Sequence, residues 1–161
     1  MNREQTLDHI DELPDMSHIH GNIWVGRWPK ISVDPQIKNI VQCCPNRHHY
    51  IVESHQTVVR GYLFDADEVP PFLMVDALVT ATLEMIDEGP TLVHCKGGIN
   101  RSPFIAALVM LQRGMSLENT MYLLRTNRSP QILNNEHFMR FLRQGCKWNT
   151  MPYNYSASRY L

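Results

Sequence analysis

The residues best suited to do chemistry lie between Thr91 and Pro103, in the run TLVHCKGGINRSP. A thiol at Cys95, a guanidinium at Arg101 and a hydroxyl at Ser102 fall in one short stretch, with Gly97 and Gly98 among the five residues that separate Cys95 from Arg101. Glycine accepts the positive φ that a tight curl needs, so the backbone N–H groups of Lys96, Gly97, Gly98, Ile99, Asn100 and Arg101 can point inward on a tetrahedral anion. The Arg101 guanidinium can fork onto two oxygens of that anion, and a helix opening near Ser102 adds its own unpaired N–H groups and positive dipole end. Phosphate is the guest that suits this loop. A helix N-terminus and a nearby cation also favour a thiolate, which makes Cys95 a nucleophile facing the phosphate. An ionised sulfur needs no base, so His94 is expected to orient the loop by hydrogen bonding. Ser102 can donate a hydrogen bond to the sulfur and help it leave when a covalent intermediate breaks down.

Positioning these groups requires a strand before them and a helix after them. Thr91-Leu92-Val93 is the strand, and Pro103 to Leu111 is apolar nearly all round, as a helix buried beneath a site would be; Gly114 ends it. Ser116 caps a further helix running to Arg125, and Asn134-Asn135-Glu136 opens another with Phe138, Phe141 and Leu142 on its inner stripe. Upstream, Asn22 to Gly26 reads as a short strand, and Ile37 to Cys44 as a second one stopped by Pro45-Asn46. The run from His49 to Val59 is β-branched but interrupted by polar residues. Gly61 to Phe64 leads as a strand into the acidic Asp65-Ala66-Asp67-Glu68, and a helical segment, Phe72 to Asp87, follows. Apolar strands alternating with helices predict an α/β fold with the nucleophile at a strand's carboxyl end, where open α/β sheets bind ligands.

With 161 residues the chain is one domain's worth, and Lys+Arg 15 against Asp+Glu 16 offers no overall basic field for nucleic acid or anionic membrane. Attraction for phosphate must be local. Residues 1–17 read as a polar arm without the apolar core of a signal peptide, and no run approaches the roughly 18 apolar residues of a membrane span, so a cytoplasmic or nuclear protein is expected. Cys43, Cys44, Cys95 and Cys146 show no metal-ligand spacing, consistent with a reducing compartment. Alternation in a strand would send His18 and His20 to one face without supplying further ligands. No metal and no cofactor is expected. Residues 147–161 read as a tyrosine-rich tail.

The run HCKGGINRS resembles the signature loop of the cysteine-dependent protein tyrosine phosphatases: His-Cys, five residues, Arg, then Ser or Thr, with glycine third after the Cys. The resemblance to their dual-specificity branch covers residues 18–146 and implies a central, mostly parallel sheet of four or five strands flanked by helices. It implies hydrolysis of phosphotyrosine and phosphoserine/threonine in proteins through a cysteinyl-phosphate. It also implies a general-acid aspartate on a loop about thirty residues before the Cys. Asp67 lies 28 residues before Cys95 and Asp65 lies 30, and the similar apolar-Ile-Asp helix end at Met85-Ile86-Asp87 favours Asp67. In some members a second cysteine protects the nucleophile through a disulfide, a role open to Cys43 or Cys44 beside that of core residue. Arg125 and Arg128 would anchor loops and cap helices, or else hold a second phosphate. Gly98-Ile99-Asn100-Arg101 also resembles the loop of RNA 5′-triphosphatases of the superfamily, though Lys96-Gly97 and Ser102-Pro103 depart from it. A catalytically silent phosphate-binding module is the third reading, which the presence of both Cys95 and Arg101 counts against.

Overall fold

The computed structural model describes residues 10–45, 47–66 and 70–144. Asp67, Cys146 and the tail read at 147–161 lie outside the described residues.

Five strands, β1 (Met16–His20), β2 (Ile23–Gly26), β3 (Asn39–Gln42), β4 (Thr57–Arg60) and β5 (Thr91–His94), form one sheet in the order β1-β2-β5-β3-β4. Only β1 pairs antiparallel, with β2; β2, β5, β3 and β4 run parallel. The fold is therefore α/β with a mostly parallel sheet. In register, Gly26 stands beside His94 and His94 beside Gln42, so three strands end together at the start of the Cys95 loop.

Four helices follow the expected segments: α1 (Phe72–Glu88), α2 (Arg101–Gln112), α3 (Leu117–Asn127) and α4 (Glu136–Gln144). Helix α1 buries Val75, Leu78, Val79, Thr82 and Met85, one stripe at helical spacing against β3 and β5. Helix α2 is buried at every position from Ser102 to Met110 because it lies between the sheet and the other helices. Its Phe104 stacks on Phe138 of α4 at 4.6 Å, with Phe141 edge-on at 5.4 Å. The Ser116 hydroxyl accepts the Asn119 N–H and caps α3. On the sheet's opposite face a smaller apolar cluster, Val33, Ile37, Ile40 and Leu92, is covered by the irregular segments around β3 and β4.

Two strand expectations are corrected. Strand β1 precedes the segment read as the first strand and begins inside the stretch read as a polar arm; its alternation buries Ser17 and Ile19 and leaves His18 and His20 exposed. The stretch Gly61 to Phe64 is not a strand. The β-structure lies just before it, in β4, although Gly61 N–H still donates to Gln42 O (2.8 Å) and Leu63 N–H to Cys43 O (3.0 Å). No helix among the described residues is long and apolar enough to cross a membrane.

Candidate active site

Strand β5 delivers His94 and Cys95 to the loop, and α2 begins at Arg101 on its far side. Asn100 precedes α2 without a side-chain cap, so the helix's first N–H groups are left for the loop, and Pro103 in the first turn has no N–H to satisfy. Cys95 is 2% exposed, and its Sγ accepts the Gly98 N–H and the Ser102 hydroxyl, each at 3.3 Å. The Ser102 hydroxyl also lies 3.3 Å from Gly26 O.

Gly98 has φ +68°, and a Cβ there would stand 2.5 Å from Arg128 Nη2 and 2.6 Å from the Gly26 carbonyl. Glycine is thus required by conformation and by space together. Arg101 Nη1 donates to Leu63 O (3.4 Å), while its buried Nε has no hydrogen-bond partner among the described residues. A cleft of about 460 Å³ opens over Cys95, lined also by Asp65, Lys96, Gly97, Ile99, Asn100, Arg101 and Asn134.

His94 is buried, and burial pushes its pKa down to about 4, so the ring is neutral at physiological pH. Its Nε2 lies 2.9 Å from the Tyr50 hydroxyl; Nδ1, facing the Cys95 backbone, has no hydrogen bond of good geometry among the described residues. Burial likewise raises Tyr50 to about 12, which keeps that hydroxyl protonated. The rings of Trp28, Tyr50 and His94 meet edge-on beneath the loop.

Cys43 and Cys44 are buried free thiols at the carboxyl end of β3. Burial is the main cause of their raised pKa values, to about 11 for Cys44, and the charge of a Cys95 thiolate adds to the rise. Both sulfurs are therefore protonated neighbours of Cys95.

Asp65 reaches the cleft, where Oδ2 accepts from Asn100 Nδ2 (3.1 Å) and Oδ1 from Asn135 Nδ2 (2.8 Å). Asn100 also donates to Asn134 Oδ1 (2.7 Å) and accepts the Asn135 N–H (3.0 Å). Asn135 further donates to Ala66 O (3.3 Å), and its Oδ1 accepts the His137 N–H (3.0 Å), capping α4. One asparagine thus ties the acidic loop, the Cys95 loop and a helix together. In the sequence it reads only as a helix cap, because its partner Asp65 is 70 residues away.

Arg128 is 7% exposed, and burial lowers its pKa to about 10. Its guanidinium donates to Gly98 O (2.8 Å), Gly97 O (3.2 Å), Pro14 O (3.2 Å) and Ser17 Oγ (3.2 Å). It is a loop anchor, with its donors turned to the back of the Cys95 loop. Arg125 donates to Ile132 O (3.4 Å). Among the described residues, no three His, Cys, Asp or Glu side chains gather as metal ligands.

A parallel sheet that places a buried cysteine in a Gly-bearing loop before an arginine-led helix defines the architecture of the cysteine-dependent protein tyrosine phosphatase superfamily. The sequence profile of the family "dual specificity phosphatase, catalytic domain" matches residues 23–147, and the chain belongs to that family. It is 24% identical over 100 residues to the PRL-1 phosphatase of Drosophila melanogaster, a match spanning 60% of this chain and 57% of that protein's length. Human DUSP28 superposes with TM-score 0.70 at 16% identity, over 85% of this chain and 96% of that one. A human tyrosine phosphatase-like serine/threonine/tyrosine-interacting protein superposes with TM-score 0.67 at 18% identity, over 84% and 97% of the two chains.

Proposed function

We propose that the protein hydrolyses phosphomonoesters of proteins, phosphotyrosine and phosphoserine/threonine alike, through a cysteinyl-phosphate. The observation that carries this reading is the Cys95 sulfur, held by the Gly98 N–H and the Ser102 hydroxyl in a cleft that Arg101 also lines. The Cys95 thiolate attacks phosphorus, the S–P bond forms and the P–O bond to the leaving group breaks. Loop N–H groups of residues 96–101 and the Arg101 guanidinium stabilise the charge on the equatorial oxygens. An aspartic acid gives its proton to the leaving oxygen. Water then attacks phosphorus and gives a proton to the same aspartate, the S–P bond breaks, and Ser102 donates to the departing sulfur.

Asp67 is the proposed acid. Asp65 has both oxygens engaged as acceptors from asparagine amides, which suits holding the loop better than delivering a proton. Asn100, the residue that gives the loop its likeness to RNA 5′-triphosphatases, bonds Asp65, Asn134 and Asn135, so in this chain it ties loops together.

The test is phosphate release from matched phosphotyrosine and phosphothreonine peptides and from 5′-triphosphate RNA, with Cys95→Ser as the blank. Release from both peptides that falls by at least about 10³-fold in Cys95→Ser is expected. Release from RNA alone would move the activity to RNA ends. No release from any of them, with the phosphopeptide still bound, would make the protein a silent binding module.

A further inference from the structure

Among the described residues the Tyr50 hydroxyl meets one polar partner, His94 Nε2 at 2.9 Å, on the residue next to the nucleophile. Packing alone does not require that hydroxyl. The ring lies edge-on to Trp28 and to His94, each at 5.4 Å, and phenylalanine would make the same contacts. Tyr50 comes from the irregular segment between β3 and β4, outside the Cys95 loop. Its neighbour Ile51 is fixed there by donating its N–H to Ile31 O (2.8 Å), so a separate piece of the fold places the hydroxyl.

Which partner donates follows from the other side of the imidazole. His94 is neutral, so one ring nitrogen carries a proton and the other a lone pair. Nδ1 faces the Cys95 backbone, whose N–H is already spent on Gly26 O (3.3 Å). What remains for Nδ1 is the Cys95 carbonyl, an acceptor, which calls for the proton on Nδ1. Among the described residues Nδ1 makes no full hydrogen bond, so this contact acts through its dipoles. Nε2 then holds the lone pair, and the Tyr50 hydroxyl, which keeps its proton, donates to it. With the tautomer reversed, the Nδ1 lone pair would stand against the Cys95 oxygen and push it away.

We infer that Tyr50 is a positioning residue of the reaction: by donating to Nε2 it holds the His94 proton on Nδ1, against the Cys95 carbonyl, and so keeps the sulfur between the Gly98 N–H and the Ser102 hydroxyl. This rests on the hydrolytic reading above and gives it a residue outside the loop. Those two donors favour the thiolate, and a displaced Cys95 backbone loosens both at once. The other titratable groups around the sulfur are Cys43 and Cys44 at the end of β3, Arg101 of α2, Arg128 behind the loop and Asp65 in the cleft. Arg60 of β4 acts on Tyr50 and on His94, where its charge disfavours an imidazolium. Burial keeps both neighbouring thiols protonated, so alkylation through the thiolate reports Cys95.

The experiment has two readouts that need no turnover. In wild type carrying nitrogen-labelled histidine, proton–nitrogen correlation spectra at neutral pH read the His94 tautomer, assigned against His94→Gln. A protonated Nδ1 is expected, and a protonated Nε2 would overturn the inference. Tyr50→Phe is then compared with wild type in the pH profile of Cys95 alkylation by iodoacetate, read on the peptide that holds Cys95. The midpoint should rise by about one pH unit in the variant. Near that midpoint kcat for an aryl phosphate should fall by about tenfold, recovering as pH rises, with KM changed by less than about twofold. An unchanged alkylation midpoint, even in a variant less stable to urea, would mean that Tyr50 only fills space and would overturn the inference. If Tyr50→Phe does not fold, the wild-type tautomer decides alone. Wild type that turns over neither phosphopeptide nor aryl phosphate would strike the hydrolytic reading instead, and the two readouts would still decide whether Tyr50 places Cys95.

Discussion

Gly98 is the residue at which the loop tolerates least. A side chain there must adopt φ +68° and push against Arg128 and the Gly26 carbonyl at once, so Gly98→Ala is expected to cost about 2–4 kcal/mol in urea unfolding and to abolish most phosphate release. Ser102→Ala removes one of two hydrogen bonds to the sulfur. It should slow breakdown of the intermediate, giving a burst of the leaving alcohol and a steady rate lower by roughly 10–100-fold, resolved by rapid quench. If Asp67 is the acid, Asp67→Asn should depress turnover of poor leaving groups by about 10²-fold or more and activated aryl phosphates far less, while Asp65→Asn should show no such dependence on the leaving group. His94 sets a pH limit. Its folded pKa of about 4 lies below the ordinary 6.5, so protons bind the unfolded chain first and stability falls as pH drops from about 6.5 towards 4, levelling off below. Between pH 7.5 and 5 the loss due to this residue is about 2 kcal/mol, and urea midpoints of His94→Gln should lack that share.

The element most in view is the loop between β5 and α2, and it was legible because its determinants are local. The thiol, glycines, arginine and flanking apolar runs all fall within Thr91 to Met110, so spacing alone locates strand, curl and helix. What holds the loop from behind was not legible in the same way. Arg128 reaches Ser17 across 111 residues and Gly98 across 30, and no pattern near Arg128 announces those partners. Strand β1 was obscured for a related reason: as an edge strand it buries only alternate residues, and its polar outward face reads like the arm before it. The strand assigned to residues 61–64 was displaced because hydrogen bonding to β3 outlasts regular strand geometry. A lysine has one point of charge where arginine has a planar fork. Arg128→Lys should therefore leave loop carbonyls unsatisfied, lowering the unfolding free energy read from urea titration by roughly 1–3 kcal/mol and raising KM for phosphopeptides.

At the scale of the molecule, the alternation of apolar segments was enough to give the α/β class and the helices α1 to α4, since helix α1 shows its buried stripe plainly and α2 its apolar run. The order of strands was not readable, because β5 pairs with β2 and β3 and neither neighbour is adjacent in sequence. That order has a kinetic meaning. Residues Gly26, Gln42 and His94 meet at the loop from parallel strands, none of which a hairpin can join, so the phosphate cradle closes only after long-range pairing has been reached. Partly folded chains, even with every helix formed, would lack the cradle. During refolding, catalytic competence is expected to return with the slowest rate constant seen by tryptophan fluorescence, and to have no earlier phase of its own.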